Sequence, residues 1–250
     1  MSAPESAFFV CTIARLLAGR RHVAVGANSP VPAAAALLAR ALSAGRTRVS
    51  MLGARRDNNF QGLADLFDCA CTGRLDAFFL TPGQIDGAAN INMVGIGDYP
   101  RLKVRWPGSH GSPLIYMMIP NIILFRPDHQ RRTLVPRVEF ISAPGVSPPH
   151  VYRPGGPSTL LTSLGLFAFD KSRARFRLDS VHPGHTEAEI RAHTGFDYDT
   201  AHDLRQTAGP DEAALRAIRD SVGAEVAEIY PQFAAELVTA AERLLDEAVA

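Results

Sequence analysis

The stretch LDAFFLTPGQIDGAANINMVGIGDYPRLKVRWPGSHGS, residues 75–112, decides the fold of this chain. Its first part, 75–80, is an apolar run that predicts a buried strand, and this strand ends in a turn rich in Gly, Asn and Asp. A second run, apolar and basic, ends in the loop PGSHGS at 107–112, where the glycines leave backbone N–H groups uncovered. A loop of this kind suits an anion or a developing oxyanion.

Strand and helix patterns alternate in the part of the chain that precedes this stretch. An apolar run at 22–26 predicts a short buried strand, a polar turn follows at 27–32, and an Ala- and Leu-rich segment at 33–43 predicts a helix. The next strand is predicted at 48–52 and the next helix at 63–71. Because a strand, a turn and a helix are half of a parallel βα unit, the pattern predicts an α/β fold with a largely parallel sheet flanked by helices.

Size and composition set the outer limits. The chain has 250 residues, of which 46% are hydrophobic and 20% charged, and this predicts one large domain over residues 1–250. The formal net charge is +1, so no overall field favours nucleic acid or an anionic membrane. The cysteines, Cys11, Cys69 and Cys71, lack the spacing of a zinc site and are predicted to be reduced, mostly buried thiols. We expect no metal and no bound cofactor.

The sequence also predicts where the protein is found. The N-terminus has no basic region ahead of its apolar stretch, and no apolar run reaches the roughly 20 residues of a membrane span. The longest candidate, 113–125, contains prolines and an asparagine. We therefore expect a soluble, cytoplasmic protein that does not contact a membrane.

The motifs follow one another in an order that resembles a known family. A strand, the turn GQIDGAANIN at 83–92, a second strand and the loop PGSHG at 107–111 are followed by VPRVEFISAPG at 135–145 and SVHPGHT at 180–186. This series resembles the β (B) subunit of family I coenzyme A transferases, with glutaconate CoA-transferase as the nearest pattern. The resemblance covers roughly residues 10–220 and implies an α/β fold of the CoA-transferase type.

By this resemblance, the glycine loop lines the pocket for the CoA thioester. Gly108, Ser109 and Gly111 would approach the thioester closely and offer N–H groups to the oxyanion. His110 is the only titratable side chain in the loop. Histidine can act as a general base toward water, which a hydrolase needs, although a solvent-facing loop histidine without chemistry is the more common case.

Four further residues are candidates for the site. The Gln84 amide can donate to an acyl oxygen, whereas a turn glutamine is more often tied to the backbone. The resemblance makes Asn92 a candidate active-site contact, against an ordinary structural role in the turn. Lys103 and Arg105 alternate along a strand just before the glycine loop and are candidates for binding the CoA phosphates, with plain surface charges as the alternative.

The resemblance breaks at Gly53. In the transferases this strand ends in a glutamate that attacks the acyl-CoA thioester and carries first the acyl group and then CoA. Glycine cannot supply a carboxylate nucleophile, and no Glu occurs between Glu5 and Glu139. The next acid is Asp57, which follows two arginines, and we interpret it as an exposed loop carboxylate paired with arginine in preference to a substitute nucleophile.

The second half of the chain is predicted to mix loops and strands. The segment HQRR at 129–132 is predicted to be a basic loop. Residues 143–157 hold many Pro and Gly residues and are predicted to be a long loop near a subunit contact. Strand-like runs at 160–169 and 174–181 predict a hairpin.

The tail at 211–250 is predicted to be helical, with an interruption at Gly223 and an amphipathic helix after it. Its last thirty or so residues are expected to lie beyond the family pattern. A surface helix that covers its own domain and a helix that docks on a partner chain are both compatible with this pattern.

The resemblance implies an enzyme that acts on an acyl-CoA thioester together with an α-type partner subunit, in a heterodimer or heterotetramer. Since the glutamate is absent, hydrolysis or hydrolytic C–C cleavage, as in the steroid-ring-opening CoA hydrolase, is expected in preference to CoA transfer. The general base would be His110 or an acidic residue of the partner subunit. True acyl-CoA:carboxylate CoA transfer, and a non-catalytic subunit that binds CoA esters or only scaffolds its partner, are the alternatives.

Overall fold

A computed structural model describes residues 3–249 of the chain. Its main sheet has eight strands in the order β12-β11-β10-β9-β8-β3-β1-β2 and is mostly parallel, with helices flanking it. The pairs β9–β10 and β10–β11 are antiparallel. The predicted α/β fold with a largely parallel sheet is therefore confirmed.

The strands are β1 His22–Val25, β2 Arg48–Met51, β3 Ala77–Leu80, β4 Gln84–Ile85, β5 Ile91–Asn92, β6 Gly95–Ile96, β7 Val104–Arg105, β8 Asn121–Phe125, β9 Pro157–Leu161, β10 Gly165–Asp170, β11 Arg175–Val181 and β12 Asp199–Gln206. The helices are α1 Ala3–Leu16, α2 Pro30–Leu42, α3 Leu63–Cys71, α4 Ser112–Met118, α5 Glu187–His193, α6 Glu212–Ala217, α7 Gly223–Ala227 and α8 Pro231–Val249, with a π-helical turn at Ile218–Val222.

The chain forms two compact units. The first consists of Met1–Cys69, Arg74–Phe78 and Ala208–Ala250, and the second of Ala70–Gly73 and Phe79–Thr207. A single domain over the whole chain stays a prediction.

The first unit contains two parallel strands and the helices α1 and α2. In β1 and β2, Val23 pairs with Val49 and Val25 with Met51, and all four side chains are buried. Helix α2 begins at Pro30, whose fixed φ suits a first helical turn, and its alanines are buried. Burial of each large apolar side chain in this unit stabilises the fold by about 1.5–3 kcal/mol.

The tail completes the first unit with helices, as the sequence predicts. The predicted interruption at Gly223 is wrong, because the helix continues through this residue. A Cβ at Gly223 would collide with the side chain of Val238, so the glycine lets α7 and α8 pack closely. The helix breaks instead at residues 228–230, ahead of Pro231, whose ring removes an N–H donor.

The second unit contains β8 to β12. The strand-like run predicted over 160–169 is two strands, since the chain turns between β9 and β10, and these two strands form a hairpin of their own. Thr162 Oγ1 accepts hydrogen bonds from the N–H groups of Leu164 and Gly165 in this turn, both at 3.3 Å. The predicted pairing with the 174–181 segment is confirmed as β10–β11, whereas the sequence does not predict β12.

Small ribbons and irregular chain make up the rest of the second unit. β4 pairs with β5 and β6 with β7, each as an antiparallel ribbon. The segment 143–156 is irregular, as its Pro and Gly content predicts. Among residues 3–249, no helix is long and apolar enough to cross a membrane.

Candidate functional site

Gly53 lies two residues after the end of β2, in the turn that follows it, and adopts a left-handed backbone conformation with φ +91°. The loop after it is closed by a hydrogen bond from the Met51 N–H to the Asp57 carbonyl oxygen at 2.7 Å. The Asp57 carboxylate accepts two hydrogen bonds from Arg40, at 2.7 and 3.2 Å. The interpretation of Asp57 as an arginine-paired carboxylate is confirmed, although the partner is Arg40 and not one of its neighbours in the loop.

Gln84 and Asn92 lie opposite each other on the β4–β5 ribbon and are buried, with exposed fractions of 3% and 0%. Asn92 Nδ2 donates to Gln84 Oε1 at 2.8 Å and to the Gly95 carbonyl oxygen at 2.7 Å. Asn92 Oδ1 accepts from the N–H groups of Val94 and Gly95 at 2.9 and 3.3 Å. Every polar position of the Asn92 side chain is thus hydrogen-bonded within the protein. A contact between Asn92 and a ligand stays a prediction, and it would require Asn92 to exchange one of these hydrogen bonds for one to the ligand.

Glu139 is hydrogen-bonded to Gln84 and forms a cluster with Gln84 and Asn92. The sequence does not identify Glu139 as a functional residue. Gln84 Nε2 donates to Glu139 Oε1 at 3.1 Å, and the Gly97 N–H donates to Glu139 Oε2 at 2.6 Å. The Glu139 N–H donates in turn to Gln84 Oε1 at 3.1 Å. Glu139 is exposed, so the buried Gln84 amide and the Gly97 N–H orient a carboxylate that faces solvent. The Gln84 amide, predicted to donate to an acyl oxygen, donates to this carboxylate here.

The glycine loop lies immediately before α4. Gly108 and Gly111 have φ of +105° and +82°, and His110 also has a positive φ, +44°. Among the described residues, the backbone N–H groups of Gly108, Ser109, His110 and Gly111 donate to no protein acceptor. Free N–H groups of this kind can bind an oxyanion, as the loop sequence predicts. His110 is exposed and has no hydrogen-bond partner among the described side chains, so its role as a base stays a prediction.

Lys103 and Arg105 lie at or beside β7 and are exposed. Neither side chain forms an ion pair within the described part of the chain. Such uncommitted cations can bind phosphate, and their contact with CoA stays a prediction.

The segment 129–132 differs from the predicted basic loop at its first residue. His129 is buried and lies between the hydroxyl groups of Thr162 and Thr194, at 2.8 and 2.9 Å. Burial lowers the pKa of His129 to about 4, so the ring is neutral. Arg131 and Arg132 are exposed, and this part of the prediction is correct.

A second buried histidine is linked to the first through Thr162. His182 Nδ1 lies 2.8 Å from Thr207 Oγ1, and its Nε2 lies 2.9 Å from the Thr162 carbonyl oxygen. Burial lowers the pKa of His182 to about 4 as well. His182 is therefore a structural residue of the turn after β11.

The thiols do not form a reactive site. Cys11 and Cys69 are buried and Cys71 is exposed, and all three are free. Burial raises the pKa of the Cys11 thiol to about 12, so this side chain is protonated and unreactive. Over residues 3–249, the His, Cys, Asp and Glu side chains form no group of three that could hold a metal ion.

Comparison with known proteins shows which proteins the chain is similar to. No family model matches the chain. It is 34% identical over 154 residues to the B subunit of 3-oxoadipate CoA-transferase from Pseudomonas knackmussii, covering 59% of this chain and 58% of that protein. It is 30% identical over 151 residues to the B subunit of glutaconate CoA-transferase from Acidaminococcus fermentans, covering 58% of this chain and 56% of that protein.

Two further similarities concern proteins that are not named as transferases. The chain is 26% identical over 159 residues to the cholesterol ring-cleaving hydrolase IpdB subunit of Rhodococcus jostii, covering 62% of each. It matches the structure of the decarboxylase AibA/AibB with a TM-score of 0.76 and 25% identity, covering 94% of this chain and 98% of that one.

The aligned part of the chain spans about three fifths of the length of the curated relatives it matches. In sequence and in fold, the chain is similar to the B-type subunits of family I CoA-transferases, as its motifs predict. The expectation that the last thirty or so residues extend past the family pattern stays a prediction.

Proposed function

We propose that this chain is the B-type subunit of a heteromeric enzyme that acts on an acyl-CoA thioester by hydrolysis or by hydrolytic C–C cleavage. The observation that carries the proposal is Gly53, which lies in the turn just after β2, where the resemblance places a nucleophilic glutamate. The nearest carboxylate in the loop, Asp57, is engaged by Arg40 on both oxygens. This loop therefore offers no free carboxylate for a covalent acyl intermediate.

Water can replace the missing nucleophile. In thioester hydrolysis, water attacks the carbonyl carbon, the C–S bond breaks, and CoA leaves as the thiol while the acyl group becomes a carboxylate. In hydrolytic C–C cleavage, water attacks a β-keto carbonyl, the C–C bond breaks, and the carbon next to the thioester gains a proton while the thioester survives. Both routes need a general base and N–H donors for the oxyanion.

The glycine loop supports this chemistry. The N–H groups of Gly108, Ser109 and Gly111 have no protein acceptor among the described residues and would receive the oxyanion. The base would be His110 in the same loop or an acidic residue of the partner subunit. Lys103 and Arg105 would bind the CoA phosphates.

The partner would be an α-type subunit, in a heterodimer or a heterotetramer. The relatives are named as B subunits, and AibA/AibB carries two component names. The two relatives that are not named as transferases, the ring-cleaving hydrolase IpdB subunit and the decarboxylase AibA/AibB, support C–C cleavage. The second candidate function is CoA transfer, which the 34% identity to the 3-oxoadipate CoA-transferase protein favours.

The experiment incubates the complex of this chain and its A-type partner with an acyl-CoA, a free carboxylate acceptor and ¹⁸O-labelled water. With a simple acyl-CoA we expect the label in the released carboxylate. With a β-keto acyl-CoA that is cleaved at its C–C bond we expect the label in the carboxylate formed from the keto carbon, while the thioester survives. In both cases we expect no CoA on the acceptor. His110→Gln should lower the rate of acyl-CoA turnover by roughly 10²-fold if His110 is the base. The matched control is His202→Gln, because His202 is also an exposed histidine. CoA on the acceptor, together with a borohydride-sensitive adduct on a carboxylate of this chain, would establish transfer and refute the proposal.

A further inference from the structure

The last turn of α7 and the residues after it contact two loops of the first unit. Glu228 Oε1 accepts hydrogen bonds from the backbone N–H groups of Arg55 and Arg56, at 2.9 and 3.2 Å. Tyr230 Oη accepts a hydrogen bond from the backbone N–H of Ser29, at 3.0 Å. One short segment, 225–230, therefore satisfies backbone donors in the loop after β1 and in the loop after β2.

A partly buried ion triad adds a third contact to the second of these loops. Arg40 in α2 binds the Asp57 carboxylate through both of its terminal nitrogens and also contacts the Glu225 carboxylate. The Arg40 side chain is three-quarters buried, so solvent screens this triad only in part. The loop at 55–57 is consequently fixed from the tail at its backbone and at its acidic side chain.

The position of these loops in the fold gives the contacts a functional meaning. β1 and β2 are parallel, and both loops follow the carboxyl ends of these strands. In open α/β sheets, ligands bind outside the carboxyl ends of the strands. A cavity of about 390 Å³ opens at this place, and its lining consists of Arg55, Arg56, Asp57, Ala224, Glu225 and Glu228.

We propose that the segment 225–230 is a positioning element of the substrate site, in which Glu228 and Tyr230 fix the loops after β1 and β2 in the geometry that acyl-CoA turnover needs. The inference rests on the proposed function and extends it to the tail. A helix that only covered its own domain would contact it through apolar side chains, as α8 does with its buried face. The segment 225–230 buries Val226 and in addition makes charged and polar contacts that are directed at particular backbone donors.

The test uses the complex with the A-type partner and measures two quantities, amide hydrogen exchange and acyl-CoA turnover. In Glu228→Ala, exchange in peptides that cover 53–57 should become at least about tenfold faster, because two backbone donors lose their acceptor. The kcat should fall on the order of 10- to 100-fold, since small displacements at a site cost rates of this size, while KM changes less. Glu228→Gln should lie between this variant and the wild type, because its amide oxygen still accepts a hydrogen bond.

The matched control is Glu212→Gln, which removes a carboxylate of the same tail that pairs only with Arg216 on the surface. Its kcat and its exchange at 53–57 should equal those of the wild type. If Glu228→Ala does not fold, Tyr230→Phe takes its place, with exchange at Ser29 and kcat as the two readouts.

Three results would overturn the inference: unchanged exchange at 53–57 in Glu228→Ala, faster exchange with a kcat within twofold of the wild type, or an equal loss of kcat in Glu212→Gln. A wild-type complex that turns over no acyl-CoA would refute the proposed function instead. The exchange measurement then still decides whether the segment holds the loops.

Discussion

Gly53 has a φ of +91°, and a Cβ built on it would meet no atom within 4 Å. The backbone conformation therefore favours glycine here, because a left-handed conformation is costly for residues with a Cβ. Steric crowding by neighbouring atoms is not the reason. A glutamate at this position would have room for its side chain but would strain the turn that carries it.

We predict that Gly53→Ala destabilises the chain by about 1–2 kcal/mol, the usual cost of a left-handed conformation in an L-residue. Urea unfolding of the variant measures this change. Gly209→Ala is the matched control, since Gly209 also has open space around it but no left-handed φ, and its free energy of unfolding should change by less than about 0.5 kcal/mol. Equal effects of the two substitutions would show that the backbone at Gly53 is not strained by a Cβ.

Sequence reasoning at this scale identifies Gly53, Asp57 and the glycine loop, because each stands inside a local motif. It does not identify Glu139 or Glu228. Glu139 reaches Gln84 across 55 positions of sequence, and Glu228 reaches Arg55 across 173. Such contacts depend on the tertiary fold, and the local pattern around each glutamate resembles that of any exposed carboxylate.

At the scale of elements, the two buried histidines connect the turn between β9 and β10 to other parts of the second unit. His129 joins Thr162 of this turn to Thr194 at the end of α5, and His182 joins Thr162 to Thr207 after β12. Each ring uses both nitrogens, so protonation of either ring would force a hydrogen bond to break or a hydroxyl to reorient. The network is therefore sensitive to acid.

We predict that the chain loses stability as the pH falls from about 6.5 to about 4. In this range the histidines of the unfolded chain bind protons, while the pKa of about 4 keeps His129 and His182 neutral in the folded chain. Because the unfolded and folded pKa values differ by about 2.5 units, the loss is at most on the order of 3.4 kcal/mol for each histidine, and it levels off below pH 4. Urea unfolding at pH 7, 5.5 and 4.5 measures it.

The variant His182→Gln should lose part of this pH dependence, and its stability at pH 7 should be lower because a buried hydrogen bond is lost. His193→Gln is the control, since this histidine is exposed and lies at the end of α5. An acid-dependent loss of equal size in the wild type and in His182→Gln would contradict the assignment to this residue.

Some helices and strands can be predicted from the sequence pattern alone, and others cannot. β1, β2, α2 and α3 are predicted to within a few residues, because apolar periodicity and turn residues agree there. The break between β9 and β10 is not predicted, since its residues 162–164 contain neither Gly nor Pro. β12 is missed because its sequence, DTAHDLRQ, is mostly polar and it pairs at the edge of the sheet.

At the scale of the whole molecule, five large hydrophobic side chains of the second unit are exposed. They are Tyr99, Val104, Ile141, Val151 and Tyr152. Tyr152, with 78% of its surface exposed, lies in the irregular segment that the sequence predicts to be near a subunit contact. Exposed apolar side chains of this size are typical of a protein interface.

We predict that Tyr152→Glu weakens the complex with the A-type partner by at least about tenfold, because a buried aromatic anchor would be replaced by a charge. Co-expression followed by native mass spectrometry, with titration of the separated subunits, measures the affinity. Leu63→Glu is the control, since Leu63 is also a half-exposed hydrophobic residue but lies in the first unit. An unchanged affinity in Tyr152→Glu would exclude this residue from the interface.

The ranges of the chain that form each unit have a consequence for synthesis in the cell. The first unit is assembled from both ends of the chain, whereas the second is almost one continuous stretch that ends at Thr207. At about 5–20 residues per second, the N-terminal helix and strands leave the ribosome on the order of ten seconds before the tail that covers them. During this interval the apolar face that α1 presents to α8 has no partner, so the speed of translation determines how long the nascent chain is exposed to aggregation.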